Sequence, residues 1–287
     1  MQFSPTTCAA DIALKTISRV IPTAPSHWVG DGFYVKPVFN QLAFTKEISP
    51  FLMFDYAAPK EFEASSKRRG VGVHPHRGFE TVTIAFQGEV EHGDSLGNRD
   101  VIGPGDVQWM TAGRGIVHEE FLSEKFSKTG GTLEMAQLWV NLPKQHKMTA
   151  PKYQPIIQDN IPEVTLDGGS GKVRVIAGSF DGVSGAASTW SPINMWDVSI
   201  QPSKNFDFIL TEGHTTLIFV REGAATLLES LMKPQSVALL TKSGSRVRVE
   251  AGGTSPAKIL VLSGEPIEEP IAARGVSGLI VDVSFCK

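Results

Sequence analysis

At 287 residues, 41% of them hydrophobic and 20% charged, the chain can fill two ordinary domains or one large one. That composition excludes disorder as its main state. A formal net charge of −3 provides no electrostatic footprint for nucleic acid. The two cysteines, Cys8 and Cys286, form neither a zinc spacing nor a disulfide framework, in keeping with a reducing compartment. Asp11, Lys15 and Arg19 interrupt any apolar core in the first twenty residues, so no signal peptide is expected. No window reaches the length of a membrane span, and the cytoplasm is the expected location.

In chain order, a polar opening to about Ile21 precedes HWVGDGF (27–33), which with the run to Phe39 forms the entry into the fold. FLMFDY (51–56) is expected as a short apolar strand, and residues 58–72 as a long polar connection. The KRR run at 67–69 fits a solvated loop within it. Turn signals then recur at Gln87-Gly88, Gly93 to Asn98, Gly103-Pro104-Gly105 and Ala112 to Gly115. Short strands between close turns predict an all-β barrel or sandwich, closed by LEMAQLWVNL (133–142). The Pro-, Lys- and Gln-rich stretch 143–162 is expected as an interdomain connection with isolated helical turns.

Six further strands follow: MWDVSI, TLIFVRE, AATLLES, SVALLT, RVRVE and AKILVLSG. Glu222-Gly223 echoes Gln87-Gly88, a weak internal repeat at a period of about 135 residues. The second half has no HxH pair, and His214 sits beside Gly213 in an expected turn, so this half is expected to be metal-free.

The chemistry concentrates between His74 and Glu120. His74 and His76 form an HxH pair, and His118 and Glu120 an HxE pair. Residues two apart in a strand share a face, so two such strands facing each other across a small barrel could aim three imidazoles and a carboxylate at one ion. Those donors suit Fe(II), Mn(II), Ni(II), Cu(II) or Zn(II), and suit Ca(II) poorly. If no bulge intervenes, the parity of His74 and His76 continues through Glu80, Val82, Ile84 and Phe86. Ile116, His118, Glu120 and Leu122 likewise share one parity. Glu80 and Glu120 are both candidates for the carboxylate, and parity does not choose between them. Phe54, Trp109, Met110, Ile116 and Trp139 are candidate pocket walls, with ordinary barrel core as the competing reading. His92 and Asp94 are expected at a loop or rim rather than as ligands. No GxSxG elbow, P-loop or GxGxxG supports a hydrolase or nucleotide-binding reading.

At these residues the chain resembles the pirin family, two-domain members of the cupin superfamily. The resemblance runs nearly end to end, through HWVGDGF, SPFLMFDY, HPHRGFETVTIAFQGEVEHGDS, GPGDVQWMTAGRGIVHEE, QLWVNLP, KMTAPKYQ, RVIAGSFDG, EGH (212–214) and GEPIEEPI (264–271). It departs at the terminus, where VSGLIVDVSFCK replaces a GPFVMNT-like ending. The resemblance implies two cupin-type barrels or jelly rolls in tandem, a metal-binding domain at 1–147 and a metal-free one at 148–287. It implies one metal ion, iron(II) first and Ni, Mn, Cu, Co or Zn as alternatives, on His74, His76, His118 and Glu120. Glu80 then becomes a hydrogen-bond acceptor nearby, or a partner for Arg77 or a tyrosine hydroxyl. The implied activity is that of a quercetin 2,3-dioxygenase: a flavonol and O2 bind, Glu120 takes the hydroxyl proton, and ring cleavage releases carbon monoxide and a depside. The alternative is a non-catalytic iron-dependent co-regulator acting through a protein partner; a third reading is a cupin whose metal only braces the barrel.

Overall fold

The computed structural model describes residues 12–21, 24–40 and 45–271. Cys8, Cys286 and the divergent terminus lie outside the described residues. The first half carries β1 (Ile17–Ile21), β2 (His27–Val29), β3 (Phe33–Phe39), β4 (Phe51–Phe62), β5 (Gly70–His76) and β6 (Phe79–Gln87). It continues with β7 (Val90–Asp94), β8 (Arg99–Ile102), β9 (Val107–Thr111), β10 (Ile116–Leu122) and β11 (Gly131–Asn141). After β12 (Lys152–Ile156) come β13 (Glu163–Leu166), β14 (Gly171–Ala177), β15 (Ser179–Phe180), β16 (Val183–Ser184), β17 (Ile193–Ile200) and β18 (Asn205–Ile209). The last are β19 (Thr215–Glu222), β20 (Ala224–Leu227), β21 (Ser230–Met232), β22 (Ser236–Leu240), β23 (Arg246–Gly252) and β24 (Ala257–Gly264). Helices are short, α1 (Thr45–Ile48) and α2 (Glu124–Thr129). Ser123 caps α2 by accepting the Phe126 N–H on its hydroxyl, and Gly130 ends it at φ +68°.

Each half is a large sheet facing a small one, as the all-β tandem expectation requires. The first pairs β12-β9-β6-β11-β4-β3-β2 with β5-β10-β7-β8; the second pairs β1-β22-β19-β24-β17-β14-β13 with β18-β23-β20-β21. Alternation along the large sheets builds two kinds of core. Inward residues such as Val35, Ala57, Ala85 and Met135 fill part of the first barrel. The inward set of the second barrel, with Trp196, Ile218, Val220 and Ile259, is apolar. The outward faces pack on each other: Phe54, Tyr56, Val82 and Leu138 meet Leu217, Phe219 and Leu260 in one continuous core. The Phe219 ring lies 4.8 Å from Phe54 and 5.1 Å from Tyr56.

Three expectations change. The polar opening contains β1, which pairs with β22 of the second barrel and is pinned by buried Lys15, whose Nζ donates to the carbonyls of Thr241 and Lys242. The stretch 58–72 is about half strand, because β4 runs on to Phe62 beside β11 and β5 starts at Gly70. The connection at 143–162 has its short helical turns but also β12, which extends the first barrel's large sheet beside β9. Two strands therefore cross the expected division between residues 147 and 148. The KRR run is a loop whose Lys67 pairs with Asp31 and whose Arg68 reaches Glu91 and Glu119. No helix among the described residues is long and apolar enough to cross a membrane.

Candidate metal centre

β5 and β10 lie side by side in the small sheet, with His74 opposite His118 and His76 opposite Ile116. This register, rather than two strands facing each other across the barrel, brings the histidines together. Their ring centroids are 4.3 to 4.8 Å apart, and one ligand nitrogen from each falls within 4.8 Å of the others. The Nδ1 of His74 lies 2.8 Å from the carbonyl of Gly72, which leaves Nε2 for a ligand. His76 Nδ1 and both ring nitrogens of His118 are buried and have no hydrogen-bond partner. Burial, reinforced by the neighbouring imidazoles, pushes His76 down to about 3 and His118 well below the ordinary histidine range. Both rings are therefore neutral at physiological pH, with lone pairs free to coordinate. Buried nitrogens without partners are costly, and an ion supplies what they lack. The residues present fit a transition metal. Among the described residues, a group of this kind occurs in the first barrel alone, and His214 lies in a turn before β19.

Glu120 is buried on the same face of β10 as His118, after a register shift between the two. Its carboxylate is not within the compact imidazole cluster. The Gln108 amide donates to Glu120 Oε1, and Thr83 Oγ1 lies 3.1 Å from that same oxygen. Thr83 Oγ1 is also 2.6 Å from Gln137 Oε1 and accepts from Gln108 at 2.8 Å, so its one proton serves one acceptor at a time. These bonds fall on Oε1, leaving Oε2 for an ion or a substrate proton.

The expected continuation of parity from His76 into Glu80, Val82, Ile84 and Phe86 does not hold. The chain turns at Arg77-Gly78, where Gly78 has φ +79°, and passes from the small sheet to the large one. Beyond that turn the inward face carries Phe79, Thr81, Thr83 and Ala85. Glu80 faces the other way, accepting from Thr111 Oγ1 at 2.7 Å, with neither Arg77 nor a tyrosine as partner. Burial pushes its carboxyl up to about 7 against that bond. Between the two candidate carboxylates, only Glu120 shares a chamber with the imidazoles.

The candidate walls divide by the same alternation. Trp139 lies 5.3 Å from the His76 ring and 4.7 Å from Phe79, whereas Met110 and Ile116 form a small cluster with Ala112. Phe54 and Trp109 face the second barrel instead. His92 and Asp94 are no rim residues: both belong to β7, and both side chains are fully buried. His92 Nε2 is 3.1 Å from Asp94 Oδ2, its ring stacks 4.4 Å from Tyr153, and it lies 5.4 Å behind His118. Thr83, Gln108 and Gln137 were not singled out in the sequence. Their signal is alternation on β6, β9 and β11, legible once the phase is reset at Gly78.

A family model described as "Pirin" matches residues 32–140, and one described as "Pirin C-terminal cupin domain" matches residues 195–276. A Pseudomonas aeruginosa protein, named provisionally as a quercetin 2,3-dioxygenase, is 48% identical over 91% of each chain. A crystal structure of quercetin 2,3-dioxygenase from Acinetobacter baumannii superposes with a TM-score of 0.89 at 46% identity, covering 94% of this chain and 93% of that one. The Escherichia coli pirin YhhW, solved in complex with nickel(II), shares the fold with a TM-score of 0.65 at 19% identity, over 85% of this chain and 96% of its own. Two cupin barrels in tandem, matched by both family models and by a relative along nearly its whole length, make this chain a member of the pirin family.

Proposed function

We propose that this protein is a metal-dependent flavonol 2,3-dioxygenase, with one iron(II) held by His74, His76 and His118 in the first barrel and Glu120 as fourth ligand and proton acceptor. The observation that carries the reading is the convergence of three buried or half-buried imidazoles, with ring nitrogens that lack protein partners. The names borne by the Pseudomonas and Acinetobacter relatives support the flavonol and O2 as substrates. Bound iron would supply Lewis acidity and open coordination positions suited to the adjacent hydroxyl and ketone oxygens of a flavonol.

The chain's own residues do the rest. Gln108 and Thr83 fix Glu120 Oε1, so Oε2 can take the substrate's 3-hydroxyl proton. Loss of that proton makes the central ring electron-rich and open to oxidation. Trp139 and Phe79, packed beside His76, provide an apolar wall that orients an aromatic ring and excludes water.

Oxygen uptake and carbon monoxide release with quercetin test the proposal. One CO per O2 is expected, with a fall of at least about 100-fold in His74→Ala and Glu120→Ala proteins that keep their fold. Metal-loaded protein that consumes no flavonol while binding a regulatory protein would instead favour the non-catalytic co-regulator.

A further inference from the structure

Across the large sheet of the first barrel, four polar residues stand in one transverse row. Asp55 on β4 is in register with Gln137 on β11, Gln137 with Thr83 on β6, and Thr83 with Gln108 on β9. The adjacent row, Met53, Trp139, Thr81 and Met110, is mostly apolar, as is Ala57, Met135 and Ala85 on the other side. Thr83 and Gln108 end the row at Glu120. Asp55 stands at its other end, two strands from Thr83, about 10 Å at ordinary strand spacing.

Asp55 and Gln137 are partly exposed, although the residues flanking each along its strand are buried. The outward face of this sheet is closed by the second barrel, where Phe54, Tyr56, Ala136 and Leu138 are buried. The exposure of the inward pair therefore opens into the interior of the barrel, on the side that holds the imidazoles. No hydrogen bond or ion pair engages the Asp55 carboxyl among the described residues, and burial alone pushes it up to about 7. A carboxyl on this inward face with no protein partner can both donate to and accept from a ligand.

We propose that Asp55 is a specificity-determining residue that hydrogen-bonds a hydroxyl of a polyhydroxylated aromatic substrate, at the end remote from the atoms bound near Glu120. The inference rests on the flavonol reading and deepens it. The chamber presents a polar pole at the imidazoles and Glu120, an aromatic wall at Trp139, and a second polar pole at Asp55. A ligand with hydroxyls at both ends of its ring system satisfies both poles. One lacking the distal hydroxyls leaves the Asp55 carboxyl buried without a partner, which is how a site built for a hydroxyl rejects its deoxy analogue.

The test is equilibrium binding of quercetin and of 3-hydroxyflavone, which lacks the distal hydroxyls, to the protein as isolated with its metal content measured. The wild type should prefer quercetin by about tenfold or more. Asp55→Leu should bring the two affinities within about twofold, with metal content unchanged. Asp55→Asn, which keeps hydrogen-bonding capacity, should retain most of the preference and serves as the folded control. A preference that survives in Asp55→Leu, or a wild type that binds both flavonols alike, overturns the role of Asp55 and leaves the dioxygenase reading intact. A wild type that binds neither removes that reading and this inference together.

Discussion

At Gly78 the backbone turns with φ +79°, and the histidines before it and the glutamate after it end on different sheets. Lys147 secures the turn, its Nζ donating to the Gly78 carbonyl at 2.9 Å and to Asn141 Oδ1 at 2.7 Å. Glu80 is left facing the inter-barrel core, where its neutral form is favoured up to about pH 7, against an ordinary carboxyl value of 4.5. Below pH 4.5 both folded and unfolded chains hold that proton. Between 4.5 and 7 only the folded chain does, so the stability contributed by Glu80 falls as pH rises, by on the order of 3 kcal/mol once above 7. A glutamine side chain at this position cannot ionise. Glu80→Gln should therefore match the wild type at pH 4 and become progressively more stable than it up to pH 7, with a constant gap beyond, as read by denaturant unfolding. A gap independent of pH would mean that Glu80 is ionised in the fold.

The elements were largely legible where alternation and turns coincide. Five of the six strands expected in the second half are present, whereas AATLLES splits into β20 and the start of β21 across a turn in which Leu228 and Glu229 take positive φ. Gly88 and Gly223, the glycines of the repeated pair, also adopt positive φ, +79° and +74°. HxH and HxE announced the imidazole cluster because both pairs fall within single strands. What sequence could not show was partnership. β1 and β12 are short and mixed in polarity, and only pairing with the edge of a sheet makes them strands. Likewise the polar tail of β4 is held by β11 rather than by its own pattern. Since β1 covers the edge of β22, a chain beginning at Pro25 should expose that edge. It should lose several kcal/mol from the second barrel and associate at micromolar concentration, measured by thermal unfolding and light scattering. A truncated protein as stable and monodisperse as the full chain would show that β1 contributes nothing to the barrel.

The two barrels are joined by a large apolar face that contains a buried ion pair. Arg221 Nη1 donates to Glu134 Oε1 at 2.7 Å, the Tyr56 hydroxyl donates to the same oxygen at 2.5 Å, and Gln87 donates to Oε2 at 2.9 Å. The guanidinium carbon lies 4.0 Å from the centre of the Phe86 ring. Burial alone would raise the Glu134 pKa, yet Arg221 and these donors hold it below the usual carboxylate range. Removing one charge strands the other, so Arg221→Met or Glu134→Gln should each cost about 3–5 kcal/mol, and the double variant clearly less than their sum. Additive losses in equilibrium unfolding would show that the pair is not coupled. At the level of the whole molecule, one barrel carries three convergent imidazoles that could hold a metal ion, and the other is filled with apolar side chains. Metal stoichiometry of the purified protein tests this most directly. The expected result is one transition-metal ion per chain, falling below about a tenth in folded His76→Ala and His118→Ala proteins. Undiminished metal in those variants, or a second ion per chain, would contradict it.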